Sequence, residues 1–133
     1  MRKILFRGKH NATGKWCEGN LYIDKQGVAI ITPDDTPLGC YGQVEPETVG
    51  QYTGLTDKNG KKIFEGDIVH MNSKKFGLSG HGIVVYRNGG FAIDDRKRNR
   101  IYPFMQNGQY NAGDYRVVGN IHDNPEFLKG GAS

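Results

Sequence analysis

Apolar positions along this chain come in short runs broken by glycine, asparagine, aspartate and proline. Residues 3–7 (KILFR) and 16–23 (WCEGNLYI) read as strands, with a turn over 10–15 that contains Gly14. Residues 24–27 (DKQG) are the next turn, and the β-branched run 28–32 (VAIIT) is the returning strand of that hairpin. Two prolines and a glycine make 33–39 a loop, because neither flanking element can continue through them. Residues 49–55 read as extended, 57–60 (DKNG) as a tight turn, and Gly66-Asp67 as a turn leading into a strand over 68–71. The stretch 73–82 reads as a Gly-, Ser- and Lys-containing loop. The sharpest local signal is 83–93, where Asn88-Gly89 sits between β-formers and predicts a two-residue hairpin with positive φ at both turn positions. A last strand is expected over 115–121, and Asn124-Pro125 opens one short terminal turn.

Five or six strands at intervals near ten residues point to a small sandwich or barrel. The composition agrees: 20 glycines in 133 residues is about twice the usual share, which suits tight turns and argues against a helical bundle. The length fits one ordinary domain or two small β units, and lets the chain bury roughly two-thirds of its unfolded surface without a staple. Tyr102 and Phe104, two residues apart, share one face and are read as core.

Several kinds of chemistry are excluded or disfavoured. Cys17 and Cys40 lack a CxxC spacing, so they are read as reduced thiols rather than a zinc site or a disulfide framework. The three-residue apolar run after Met1 is too short for a secretory signal, and no run approaches the ~18 apolar residues of a membrane span, so a cytoplasmic location is expected. Residues 8–15 (GKHNATGK) fail as a phosphate loop, with five residues between the glycines and Trp16 after the lysine. His10, His70, His81 and His122 show no HxxH spacing and read as dispersed turn or surface histidines. Asp34-Asp35 reads as a solvated acidic turn, and Glu65 and Asp67 as turn formers. No serine sits in a GxSxG elbow.

Charge adds one positive feature. Between residues 72 and 102 seven Lys/Arg stand against two Asp, a local charge of +5, which leaves −1 for the rest of the chain. The candidate nucleic-acid contacts are Lys74, Lys75, Arg96, Lys97, Arg98 and Arg100. The 96–100 run is expected on a solvated loop, where replacing its cations would leave the fold intact.

The series 47–55 (ETVGQYTGL), 57–60 (DKNG) and 63–69 (IFEGDIV), followed by 82–86 (GIVVY) and 118–126 (VGNIHDNPE), is similar to the signature of the YopX family of phage and prophage proteins. Residues 3–7 resemble that family's opening. The resemblance implies a mainly β fold: an N-terminal β-segment over 1–52, an SH3-like β-barrel over 53–129 and a tail over 130–133. It also implies phage or prophage origin, and it carries no activity from which catalytic residues could be transferred. The function expected is therefore binding without catalysis, with no cofactor, metal, membrane or small-molecule substrate. Nucleic acid is the first partner; the alternative is protein interaction or assembly, with copies of the chain or with a host or phage protein.

Overall fold

The computed structural model describes residues 3–33, 42–74, 77–105 and 108–129. The chain divides into two compact units, Met1–Gly54 and Leu55–Ser133. Both are built from antiparallel strands, and the described residues contain no α-helix, only three short 3-10 turns.

In the first unit, strands β1 (Phe6–Lys9), β2 (Trp16–Ile23), β3 (Ala29–Thr32), β4 (Gly42–Val44) and the start of β5 (Gly50–Thr56) lie in the order β4-β3-β2-β1-β5. Strand alternation turns Cys17 and Gly19 of β2 inward and leaves Trp16 and Glu18 less buried. Cys17, Ala29, Ile31 and Val44 form the buried core, and Leu5 is also fully buried. The first strand begins three residues later than the apolar run suggests. It extends instead through Gly8, where a Cβ would collide with the Val44 side chain at 2.8 Å. Strand β4 is a three-residue element with too little pattern to be read from sequence. Cys17 is disulfide-bonded, which corrects the expectation of reduced thiols; Cys40 and the Asp34-Asp35 pair lie outside the described residues.

The second unit holds the end of β5, its neighbour β6 (Lys62–Phe64), and strands β7 (Asp67–Ser73), β8 (Leu78–Arg87), β9 (Gly90–Asp95), β10 (Arg100–Pro103) and β11 (Tyr115–Asn120). The last five form an open antiparallel sheet, β10-β9-β8-β7-β11. One face carries the core: Val69, Met71, Val84, Ile93 and Tyr115, joined by Ile63 and Phe104. Phe104 is core as expected, and Tyr102 packs against the cluster. Tyr110 stacks on Tyr115 at 5.4 Å, and the Tyr115 hydroxyl donates to the Phe104 carbonyl. Alternation sends Ile68, His70 and Asn72 of β7 to the opposite face, together with His81 and Ile83 of β8.

The motifs that carry the family resemblance are scaffolding. Asp57 is buried, and its carboxylate accepts from the backbone N–H of Asn59, Lys61 and Val117, each at 2.9 Å. Burial alone would raise its pKa, but those three donors and nearby Lys61 outweigh it and hold the carboxyl below its ordinary range. Asp67 is buried and accepts from the Phe64 N–H at 2.7 Å. Between them, Gly66 takes φ +90°, donates to the Val84 carbonyl and accepts from the Ile121 N–H. The Asn120 side chain accepts from the N–H groups of His122 and Asp123, and Asn124 accepts from that of Asn120.

The expected loop over 73–82 is corrected by the structure: β7 runs to Ser73 and β8 begins at Leu78, so 78–82 is strand. Gly80 and Gly82 give the segment the look of a loop, yet Gly80 takes φ +103° within the strand and Gly82 sits where neighbours crowd it. A Cβ on Gly82 would run into Ile93, and one on Gly80 would meet the Arg98 guanidinium at 2.6 Å.

Candidate functional site

Antiparallel connection puts the β7–β8 turn and the β9–β10 turn at the same end of the five-stranded sheet. Lys74 follows the last residue of β7 and is exposed, residues 96–99 form the β9–β10 turn, and Arg100 opens β10. The fold thus brings Lys74 and the 96–100 cations to one rim. Lys75 lies outside the described residues.

The rim arginines are not equivalent. The Arg98 Nη1 sits 3.0 Å from Asp95 Oδ2 and donates to the Ser79 carbonyl at 2.8 Å, while the Arg98 N–H donates to Asp95 Oδ1. Arg98 lies on an exposed turn, as expected for the 96–100 run, and in addition ties that turn to the start of β8. Arg96 lies 3.7 Å from Asp94 and donates to the Leu128 carbonyl at 2.6 Å, so it fastens the terminal 3-10 turn (Pro125–Lys129). Arg87 reaches the same Asp94 at 3.2 Å. Lys74, Lys97 and Arg100 present exposed side chains.

A second group was not legible as a site. The β7–β8 register sets His70 opposite His81, and the β7–β11 register sets Arg116 opposite His70, so Arg116, His70 and His81 make one row across three strands. The two imidazole rings meet edge to face at 5.0 Å, and Phe127 of the terminal turn packs on His81 at 5.7 Å. Two of the four histidines are thus brought together, against the expectation of dispersed ones. Burial, His70 and the Arg116 guanidinium hold the His81 pKa below the ordinary histidine range, against a smaller upward pull from Asp95.

A cavity opens on each side of this histidine pair. One of about 250 Å³ is lined by Lys58, His70, Asn72, Gly113, Asp114, Tyr115 and Arg116. The other, about 150 Å³, is lined by Gly80, His81, Asp95, Lys97 and Arg98. The arrangement offers cations, an amide and imidazoles as hydrogen-bond donors to an anion. Among the described residues, no three His, Cys, Asp or Glu side chains converge as metal ligands. No helix there is long and apolar enough to cross a membrane.

The chain is similar over nearly its full length to two solved proteins. Protein EF1440 from Enterococcus faecalis is 28% identical with a TM-score of 0.61, covering 96% of this chain and 99% of that one. The yopX protein of Bacillus subtilis is 18% identical with a TM-score of 0.55 over the same shares, a likeness of fold alone. No curated protein matches the chain. The YopX protein family matches residues 5–129, where the buried Asp57 and Asp67 and the Asn120–Asn124 contacts hold the second unit together, and the chain belongs to the YopX family.

Proposed function

We propose that this YopX-family chain is a small non-catalytic binding protein of phage or prophage origin, acting in the bacterial cytoplasm on nucleic acid. The observation that carries the reading is the shared rim: Lys74 and the 96–100 cations, more than twenty residues apart in sequence, stand at one end of one sheet. Lys and Arg side chains held together in this way attract a phosphate backbone whatever its base sequence. Within the cluster, Lys74, Lys97 and Arg100 make the phosphate contacts; Arg96 and Arg98 are partly engaged by Asp94 and Asp95. The reading needs no cofactor and no reaction step. Its finer fold statement, an SH3-like barrel in the second unit, draws support from the 57–58 turn, which bonds along the edge of β11 at Tyr115 and Val117.

The test is retention of random single- and double-stranded oligonucleotides at low salt. Affinity should be micromolar or weaker, and should fall with salt at a log–log slope of roughly −0.7 to −0.9 per phosphate contacted. A triple Lys74→Ser, Lys97→Ser, Arg100→Ser variant should lose retention while keeping its unfolding midpoint. Absence of retention by the wild type at low salt overturns the reading.

A protein-interaction or assembly role is the second reading, favoured by one observation. Strand β10 ends the five-stranded sheet and carries Ile101 at 46% exposure, an edge open to pairing with a second copy or another protein. A stable multimer that retains no nucleic acid would select it.

A further inference from the structure

The structure assigns a binding site for a phosphate group to the cavity between Lys58, His70, Asn72 and Arg116, on the opposite face of the five-stranded sheet from its core. This deepens the anion-binding reading but rests on different residues, since none of the rim cations lines this cavity.

Charge pairing is the first argument. Arg87, Arg96 and Arg98 each have an aspartate within 4 Å. Arg116 and Lys58 have no such side-chain partner among the described residues, although both line one concavity. Asp114 also lines it, a single carboxylate facing two permanent cations and His70. The balance favours an anion that Asp114 does not replace.

The second argument is that the walls are built. Lys58 donates its backbone N–H to the Tyr115 carbonyl at 3.0 Å, and Asp57 accepts from the Val117 N–H at 2.9 Å. The turn that presents Lys58 is therefore fastened on both sides of Arg116. The β7–β11 register fixes Arg116 opposite His70, and Asn72 lies two residues further along β7 on the same face. Asn111 caps the short 112–114 turn by accepting from the Gly113 N–H, which sets the last wall.

The third argument is fit. A guanidinium presents paired N–H donors to two oxygens of a phosphate, a lysine adds a point charge, and the Asn72 amide and His70 ring add neutral donors. At about 250 Å³ the cavity holds a phosphate group with several waters, each water occupying about 30 Å³ in the liquid. The same group is carried by a free phosphate ester and by a nucleic-acid backbone.

The test titrates the full chain with inorganic phosphate and follows amide and histidine ring signals by NMR, with chloride at matched ionic strength as control. Saturable shifts at His70, Gly113 and Arg116 are expected, with a dissociation constant in the millimolar range. Arg116→Ala should weaken binding by about tenfold or more, as expected for loss of a charged hydrogen bond. Asp114→Asn should tighten it. Thermal melts of both variants check the fold, and Arg116→Lys, which keeps the charge without the paired donors, should restore only part of the affinity. Shifts that do not saturate, or that persist unchanged in Arg116→Ala, overturn the site. Two further titrants separate the sources: a mononucleotide carrying a terminal phosphate, and an oligonucleotide with internal phosphodiesters only. Saturation by the first alone makes the ligand a phosphate monoester, and saturation by both makes it a backbone phosphate. The Lys74→Ser, Lys97→Ser, Arg100→Ser variant should keep the phosphate shifts even where oligonucleotide retention is lost, so the two proposals fail separately.

Discussion

Arg98 reaches back three residues to Asp95, placing Nη1 3.0 Å from a carboxylate whose side chain is only 2% exposed. Asp95 ends β9 deep in the sheet, and the arginine that neutralises it also holds the Ser79 carbonyl of the neighbouring strand. A basic turn that reads as a solvated surface is therefore partly a fastening between strands.

Replacing Arg98 by Ser leaves Asp95 buried without its cation and frees the Ser79 carbonyl. A loss of about 2–4 kcal/mol is expected, below the full cost of breaking a wholly buried pair because half the arginine is in water. Arg100→Ser, on the same rim, should stay within about 0.5 kcal/mol of wild type. Urea midpoints of the two variants check this, and equal values would remove the distinction drawn between the two arginines.

The β8–β9 turn gives a second stability test. Asn88 and Gly89 take φ of 53° and 81°, the two left-handed positions that the sequence predicts. No neighbour within 4 Å opposes a Cβ at Gly89, so conformation alone sets the cost there. Gly89→Val should lose about 1–2 kcal/mol, and Gly89→Asn distinctly less, because asparagine tolerates this region. Thermal melts in that order are expected; a valine variant as stable as wild type would contradict the turn.

Asp57 supplies an acid-sensitive clamp. Three backbone donors hold its pKa below the ordinary carboxylate value, so the native state binds its proton less readily than the unfolded chain. Its stabilisation is complete above the unfolded value near 3.8 and disappears as pH falls through the lower native value. Asp57→Ala should cost about 2–4 kcal/mol at neutral pH, since three backbone N–H groups lose a charged acceptor. The variant should also show a flatter decline of stability below pH 4 than wild type, read from unfolding curves across acid pH.

The difference between what was legible and what was not follows from the range of the interactions. Turns declare themselves through one or two residues: Asn88-Gly89, Asp57 to Gly60 and Asn124-Pro125 all turn where their side chains and φ preferences require. The strand over 78–82 was hidden because Gly80 and Gly82 serve the packing of Arg98 and Ile93, which lie more than ten residues away in sequence. The same two glycines conceal the candidate site, because only the pairing of 78–83 with β7 gives His81 a register beside His70. Arg116 is an isolated cation in sequence, and only the pairing of β11 with β7 carries it to the histidines. The basic run at 96–100 was visible from composition, but which arginines are held by Asp94 and Asp95 depends on side-chain geometry.

The histidine row sets the last prediction. His81 meets His70 from β7, Arg116 from β11 and Phe127 from the terminal turn; Asp95 acts on it from β9, and Lys97 and Arg98 share its cavity. Burial, His70 and Arg116 disfavour the charged ring more than Asp95 favours it, so the native pKa lies below the ordinary value near 6.5. The unfolded chain then binds the proton more readily than the native state. Stability contributed by neutral His81 is complete above pH 6.5 or so and is lost as pH falls through the native pKa. The unfolding midpoint should decline as pH falls below about 6.5, a window above the one in which Asp57 acts. The terminal turn should loosen first, because its Phe127 packs on the ring that gains charge. Amide exchange of residues 125–128 should quicken over this range. Arg116→Gln removes one of the groups that oppose protonation, so the native pKa moves back toward the ordinary value and the decline should become smaller. A midpoint that stays flat as pH falls below about 6.5, or a decline that Arg116→Gln leaves undiminished, would mean that the row does not bear on the terminal turn.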